Sequence, residues 1–148
     1  MSKNSAERDG ILVKVRLDYK ARDRDRPFLF KGKHTERAAE DARERQASLF
    51  RNIPLQGAEI IDIDAGTEVY SVFDETVNTE VVYAPLLLTI RAENIESLLK
   101  FTTRDEFRKV EVLDPASMTL DHSDVERILY RFFEETREIR ALVERRYT

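Results

Sequence analysis

The pattern of apolar and polar positions is clearest over roughly the last thirty residues, where apolar side chains recur at spacings of three and four. This spacing predicts a helix with one apolar face over about 123–147. Ser123 and Glu126 form a capping-box pattern that would begin the helix. We expect its apolar face to be an interface, formed by Val125, Ile128, Leu129, Phe132, Phe133, Ile139 and Leu142.

Alternation of apolar and polar residues over 11–19 predicts a first strand with one buried face. A helix is predicted over 35–51, with Thr35 as its cap. The remaining segments are predicted as three strands, a short helix and a strand, over 58–63, 67–73, 79–91, about 95–101 and 107–113. Ala65-Gly66 separates the first two strands as a bulge in one long strand or as a tight turn, and we favour the bulge.

The strand over 79–91 loses its alternation at residues 86–88, which predicts a central position in the sheet. The strand over 107–113 contains charged residues, as expected at a sheet edge. The order of elements predicts an α+β, ferredoxin-like βαββαβ sandwich with a mostly antiparallel sheet of four to five strands and an added long C-terminal helix. We expect residues 1–9 to be a flexible tail and residues 10–148 to form one domain.

Apolar residues are predicted on both sides of the sheet, and a layer of two helices can cover only one side. The C-terminal helix, a second copy of the chain, or both would have to cover the other. The leading hypothesis is therefore a non-enzymatic assembly or protein-interaction module that self-associates through the sheet face or the C-terminal helix. No motif nominates a catalytic residue or a cofactor, so neither is predicted.

The 148 residues include no cysteine, which excludes disulfides, thiolate zinc sites and cysteine nucleophiles. The first nine residues lack the apolar core of a secretory signal. The longest apolar run, over 81–90, is shorter than the ~20 residues that a spanning helix requires. We therefore expect a cytoplasmic protein with no membrane partner.

The net charge of −4 is unevenly distributed, because residues 1–51 carry 14 basic and 9 acidic groups and residues 52–99 carry 1 and 9. A polyanion would have to bind the N-terminal third. An alternative function is therefore phosphate or nucleic-acid binding by the segment 20–34, with Phe28 and Phe30 stacking on bases. The candidate anion-binding residues, the last at a helix N-terminus, are Lys20, Arg22, Arg24, Arg26, Lys31, Lys33 and Thr35. The same segment is also typical of a solvated loop with its phenylalanines packed inward.

Asp62 and Asp64 alternate on one face of a predicted strand, with Glu68 nearby. Such carboxylates can bind Mg²⁺ for phosphoryl chemistry, so a magnesium-dependent enzyme is a second alternative. A solvent-facing strand has the same alternation of apolar and acidic residues without a metal. These two residues are therefore metal candidates that need a third ligand.

Overall fold

The structure, a computed structural model, describes residues 10–21 and 33–147. The described strands are β1 (Ile11–Lys20), β2 (Ala58–Asp64), β3 (Tyr70–Asp74), β4 (Thr79–Ala92) and β5 (Phe107–Asp114). The helices are α1 (Lys33–Asn52), α2 (Leu99–Thr102), which follows a 3₁₀ turn at Glu96–Leu98, and α3 (His122–Tyr147). The chain is mixed α+β, with an open antiparallel sheet of five strands and a C-terminal helix. This confirms the predicted fold class at that level.

The strand order in the sheet is β2-β4-β1-β5, and β3 also pairs with β4. All of these pairings are antiparallel. β1 and β4 form the longest ladder, from the pair Ile11 and Ala92 to the pair Lys20 and Tyr83. The predictions that β4 is central and that β5 is an edge strand are therefore confirmed.

The connection between β2 and β3 differs from the bulge predicted at Ala65-Gly66. β2 pairs with residues 87–92 of β4 and β3 with residues 79–83, so the two short strands follow one another along the same edge of β4. The register shift lies instead between Ile60 and Asp62. The predicted position of the bulge was wrong, because the chain leaves the sheet altogether between the two strands.

Pro85 lies in β4 opposite this interruption and has no N–H to donate to a ladder. Arg43 of α1 fills the gap, because its Nη1 donates to the carbonyl oxygen of Thr67 at 2.6 Å and to that of Pro85 at 3.2 Å. The Arg43 side chain is buried there. The break in the sheet thus becomes an attachment point for α1.

The core lies between one face of the sheet and the layer formed by α1, the 3₁₀ turn and α2. Alternate residues of β1 and β4 face this layer, as the period of two predicts. Phe50 of α1 meets Phe101 of α2 with ring centroids 6.0 Å apart. The largest fully buried apolar side chains are Phe101, Leu17, Leu86, Leu88, Ile90, Val13 and Val15.

The opposite face of the sheet, called here the open face, carries charged, polar and aromatic side chains among its apolar ones. Its residues from β1 and β4 include Lys14, Arg16, Asp18, Tyr83, Leu87, Thr89 and Arg91. Burial on this face is mixed, because Val81, Pro85 and Asp18 are buried whereas Leu87 is half-buried. The prediction that the apolar residues of this face require a cover stays a prediction.

The long helix α3 packs against the 3₁₀ turn and α2. Its N-terminus is capped by Asp121, whose Oδ1 accepts a hydrogen bond from the Asp124 N–H at 2.8 Å. The Asp121 N–H in turn donates to Asp124 Oδ2 at 2.9 Å. This reciprocal pair is a capping box made by two aspartates, so the predicted pair Ser123 and Glu126 was wrong by two residues.

Candidate functional site

One side of α3 faces its own domain, and this side is mostly polar. Its half-buried residues recur at helical spacing and are Asp124, Ile128, Arg131 and Glu135. One ion pair joins this helix to the 3₁₀ turn, because Arg127 Nε donates to Glu96 Oε1 at 3.2 Å. Arg127 also pairs with Asp124 within the helix. The apolar stripe of α3 therefore contributes little to holding the helix on the domain.

The apolar stripe lies about a quarter turn around the helix from the domain-facing side. Its central residues, called here the α3 seam, are Val125, Leu129, Phe132, Thr136, Ile139 and Val143. The five apolar members are exposed, from 43% at Val125 to 64% at Leu129. Of the predicted interface residues, all are exposed except Ile128, which is half-buried on the domain-facing side.

The C-terminal half of α3 extends beyond its own domain. Residues 137–145 are exposed at every position, whereas the half-buried positions of the helix lie between Asp124 and Thr136. The 26-residue helix is roughly 39 Å long, so its last turns run beyond the segment that contains its half-buried positions. This overhang exposes Ile139, Leu142 and Val143 at 47–62%.

A second candidate surface is a polar cluster on the open face, centred on Asp18. The Asp18 side chain is 1% exposed. Arg16 donates to it twice, from Nε to Oδ1 at 2.9 Å and from Nη2 to Oδ2 at 3.2 Å. The Tyr70 hydroxyl also donates to Oδ2, and Arg108 Nε lies 3.9 Å from the same oxygen. The buried carboxylate is thus satisfied from three strands.

The aromatic rings of this cluster are covered by their neighbours. Tyr70 and Tyr83 stack with centroids 5.5 Å apart, and their planes are inclined by 24°. The guanidinium carbon of Arg16 lies 5.7 Å from the Tyr70 centroid, and that of Arg108 lies 5.4 Å from the Tyr83 centroid. Burial, and then the hydrogen bond to Asp18, raise the pKa of Tyr70. These contacts fix the open face and use the ring faces that a ligand would otherwise stack on.

Sequence reasoning predicted no site at this cluster, and Arg16, Asp18, Tyr70 and Arg108 were all missed. Arg16 and Asp18 lie two apart on a strand, so their shared face was visible in the sequence. Tyr70 and Arg108 reach Asp18 only through the pairing of β3 with β4 and of β5 with β1. That cross-strand register is not encoded in any local pattern.

A groove of about 600 Å³ lies at the end of β1, lined by Asp18, Tyr19, Lys20, Ala21, Tyr83, Asp105, Glu106 and Arg108. Its cations and carboxylates are mixed, which favours no ligand of one charge. The Tyr19 hydroxyl is buried, and no residue of the described part of the chain is placed as its hydrogen-bond partner. Burial, opposed by Arg104, raises the pKa of Tyr19 above its ordinary value of 10.0.

The raised pKa of Tyr19 predicts a loss of stability at alkaline pH. The unfolded chain releases this proton near pH 10, whereas the folded chain retains it, so the free energy of unfolding falls as pH rises above 10. The slope from this group is up to ~1.4 kcal/mol per pH unit. We expect Tyr19→Phe to remove that part of the slope in urea unfolding curves, and the exposed control Tyr130→Phe to retain it. A Tyr19→Phe slope equal to that of the wild type would contradict the assignment.

The candidate anion-binding residues are only partly within the described chain. Lys20 is exposed at the end of β1. Thr35 lies inside α1, which begins at Lys33, so the prediction that Thr35 caps this helix was wrong. The remaining candidates lie outside the described residues: Arg22, Arg24, Arg26, Phe28, Phe30 and Lys31. Phosphate or nucleic-acid binding by this segment stays a prediction.

The metal candidates Asp62 and Asp64 share the open face, opposite Thr89 and Leu87 of β4. Both are exposed, and Asp64 Oδ1 accepts a hydrogen bond from the Gly66 N–H at 2.9 Å. Within residues 10–21 and 33–147, no group of three histidine or carboxylate side chains is placed to hold a metal ion. A magnesium-dependent activity therefore stays a prediction without a convergent ligand set.

No protein-family model matches this chain, and no curated protein or solved structure is significantly similar to it. Among the helices of the described part of the chain, none combines the length and the apolar character needed to cross a membrane.

Proposed function

We propose that this chain is a non-enzymatic self-association module, and that two copies join through the α3 seam. The observation that carries the proposal is an exposed apolar stripe on a helix whose domain-facing side is polar. The helix contacts its domain through the half-buried Ile128 and the ion pair of Arg127 with Glu96, which lie to one side of this stripe. Exposed apolar surface of this extent is typical of an interaction site.

The available area supports a pair of copies. Seven apolar side chains of α3 are each about half exposed, from 43% at Val125 to 64% at Leu129. These side chains are Val125, Leu129, Phe132, Phe133, Ile139, Leu142 and Val143. A standard-size interface buries ~800 Å² per partner. A helix with this many exposed apolar side chains, together with its polar rim, can supply a large part of such an interface.

The spacing of the seam supports a second helix of the same kind as the occupant. Successive seam residues are separated by four, three, four, three and four positions. A repeat of 3.5 residues is the one that lets two helices keep the same side in contact along their length. The one polar member, Thr136, donates its hydroxyl to the Phe132 carbonyl at 2.8 Å within the helix. Burial of Thr136 between two helices would therefore leave its hydroxyl donor satisfied.

We extend the proposal to the fold and to the location. If β2 and β3 are counted as one interrupted strand, the sheet order is second, third, first, fourth, which supports a ferredoxin-like domain. The packing of α1 and α2 on one face supports the same assignment. A cytoplasmic location is supported by the absence of cysteine.

The direct test is the molar mass of the full chain in solution, measured by light scattering on a gel-filtration column over a range of loaded concentrations. The chain mass is 17.3 kDa, and we expect twice that mass, with a return to the single mass on dilution. A mass of 17.3 kDa at every concentration would contradict self-association.

A further inference from the structure

We infer that the two α3 helices pair in an antiparallel arrangement, with a two-fold axis near residue 134. This inference rests on the proposed self-association and adds its geometry. In this arrangement Val125 faces Val143 of the partner subunit, Leu129 faces the partner's Ile139, and Phe132 faces the partner's Thr136. The seam residues then fill three layers on each side of the axis.

The position of the domain supports the antiparallel arrangement. Each helix has one flank beside the seam that faces its own domain, at Ile128 and Glu135, and one flank that is free, at Glu126, Phe133 and Arg140. In a parallel pair the free flank of one helix meets the domain-facing flank of the other. In an antiparallel pair, free flank meets free flank. The antiparallel pair therefore has one side, formed by the two free flanks, that is clear of both domains, while the domain-facing flanks meet on its other side.

Charge complementarity on the free flank supports the same arrangement. Antiparallel pairing about residue 134 brings Glu126 opposite Arg140 of the partner subunit, on both sides of the axis, and Phe133 opposite the partner's Phe133. Glu126 has no ion-pair partner among the described residues, so its carboxylate is available. Arg140 lies over the Phe133 ring, with its guanidinium carbon 4.8 Å from the centroid, and so faces this flank.

The corresponding ion pair of a parallel arrangement would join Glu135 to the partner's Arg140. Glu135 is already used on the domain-facing side, where Arg131 Nη1 lies 3.8 Å from its Oε1. Arg131 and Glu135 also act on Lys100 of α2, whose pKa is lowered mainly by burial, further lowered by Arg131 and raised by Glu135. The antiparallel pair leaves these contacts of Glu135 in place, because it uses Glu126 instead. In either arrangement Arg140 is held within its own helix, where it donates to Thr136 Oγ1 at 2.6 Å and to the Phe133 carbonyl oxygen at 3.1 Å.

Antiparallel pairing also accounts for the overhang. Leu142 is 62% exposed and points in the same direction as the domain-facing residues, but it lies beyond the end of its own domain. In the antiparallel pair it lies opposite the partner's Ile128, beside the partner's domain. The overhanging half of each helix thereby gains the neighbour that its own chain does not provide.

Engineered cysteines test the arrangement, because the chain has no cysteine of its own. In the variant V125C+V143C, the two sites of one chain are roughly 27 Å apart along the helix, which excludes a bridge within the chain. We expect this variant to form a disulfide-linked dimer under mild oxidation, whereas Val125→Cys alone stays unlinked. Non-reducing gels measure the linkage, and light scattering of both variants under reducing conditions measures the association.

Each other outcome has a separate meaning. A covalent dimer of Val125→Cys alone indicates a parallel pair, which overturns this inference and leaves the proposed self-association intact. A non-covalent dimer that links in neither variant also overturns the antiparallel register. Two unlinked variants that remain monomeric, like the wild type, overturn the proposed function itself.

Discussion

Replacement of Leu129 with aspartate is expected to convert the proposed dimer into a folded monomer. Leu129 is 64% exposed in the single chain, so the substitution costs little folding stability there. In the pair, the same position would place an unpaired carboxylate inside an apolar seam, which costs several kcal/mol. We expect the dissociation constant to rise by more than about a hundredfold, as measured by light scattering and by sedimentation at several concentrations.

The matched control is Tyr130→Asp. Tyr130 is also 64% exposed and adjacent in sequence, but it lies well to the side of the seam. We expect this variant to remain dimeric and both variants to unfold cooperatively on heating. If Leu129→Asp retained twice the chain mass, the seam would not be the contact. Dissociation of both variants to the same extent would indicate that helix charge matters rather than the position of the charge.

Replacement of Asp18 with alanine is expected to lower the free energy of unfolding by about 2–3 kcal/mol. The loss arises because Arg16 and the Tyr70 hydroxyl both donate to this buried carboxylate and would lose their acceptor. Removal of one partner of a fully buried ion pair typically costs ~3–5 kcal/mol. The Arg16 side chain is 41% exposed and can be solvated instead, so we expect a smaller loss.

Urea unfolding of the Asp18→Ala variant measures this loss, and Asp62→Ala is the control. Asp62 is an exposed aspartate on the same face of the sheet, so its removal should change the free energy of unfolding by less than ~0.5 kcal/mol. Equal values for the two variants would mean that the cluster around Asp18 does not stabilise the sheet. The Asp18→Ala variant should keep twice the chain mass in light scattering, because the cluster lies on the open face of the sheet whereas α3 packs against the 3₁₀ turn and α2.

The elements with strong periodicity were predictable from the sequence. The alternation in β1 and the three-and-four spacing in α3 identified both elements and their apolar faces, because each pattern is local. The interruption between β2 and β3 was not, because it depends on which residues of β4 lie opposite the missing donor of Pro85. The helix is capped by Asp121 and not by the predicted Ser123, because Asp121 and Asp124 form the capping box instead of the serine and glutamate next to them.

The candidate sites also divide into features with a local sequence pattern, which were predictable, and features that depend on strand register, which were not. The sequence predicted more apolar surface than a layer of two helices can cover. The prediction placed this surface on both faces of the sheet as well as on the C-terminal helix. On the open face Leu87 is half-buried, and the residues opposite it on the neighbouring strands are Arg16 and Asp64, so polar side chains flank it. The cluster around Asp18 joins three strands that are distant in sequence, and only the register brings its members together.

The exposed last turns of α3 affect how well ordered the end of this helix is in a single chain. Helical segments of this length are marginal in water when nothing packs against them. The turns over 137–145 would therefore fray in a separated chain and become regular only beside a companion. Association and the final stage of folding would then be a single equilibrium, so that a protease added to a dilute solution would remove the tip of the helix first.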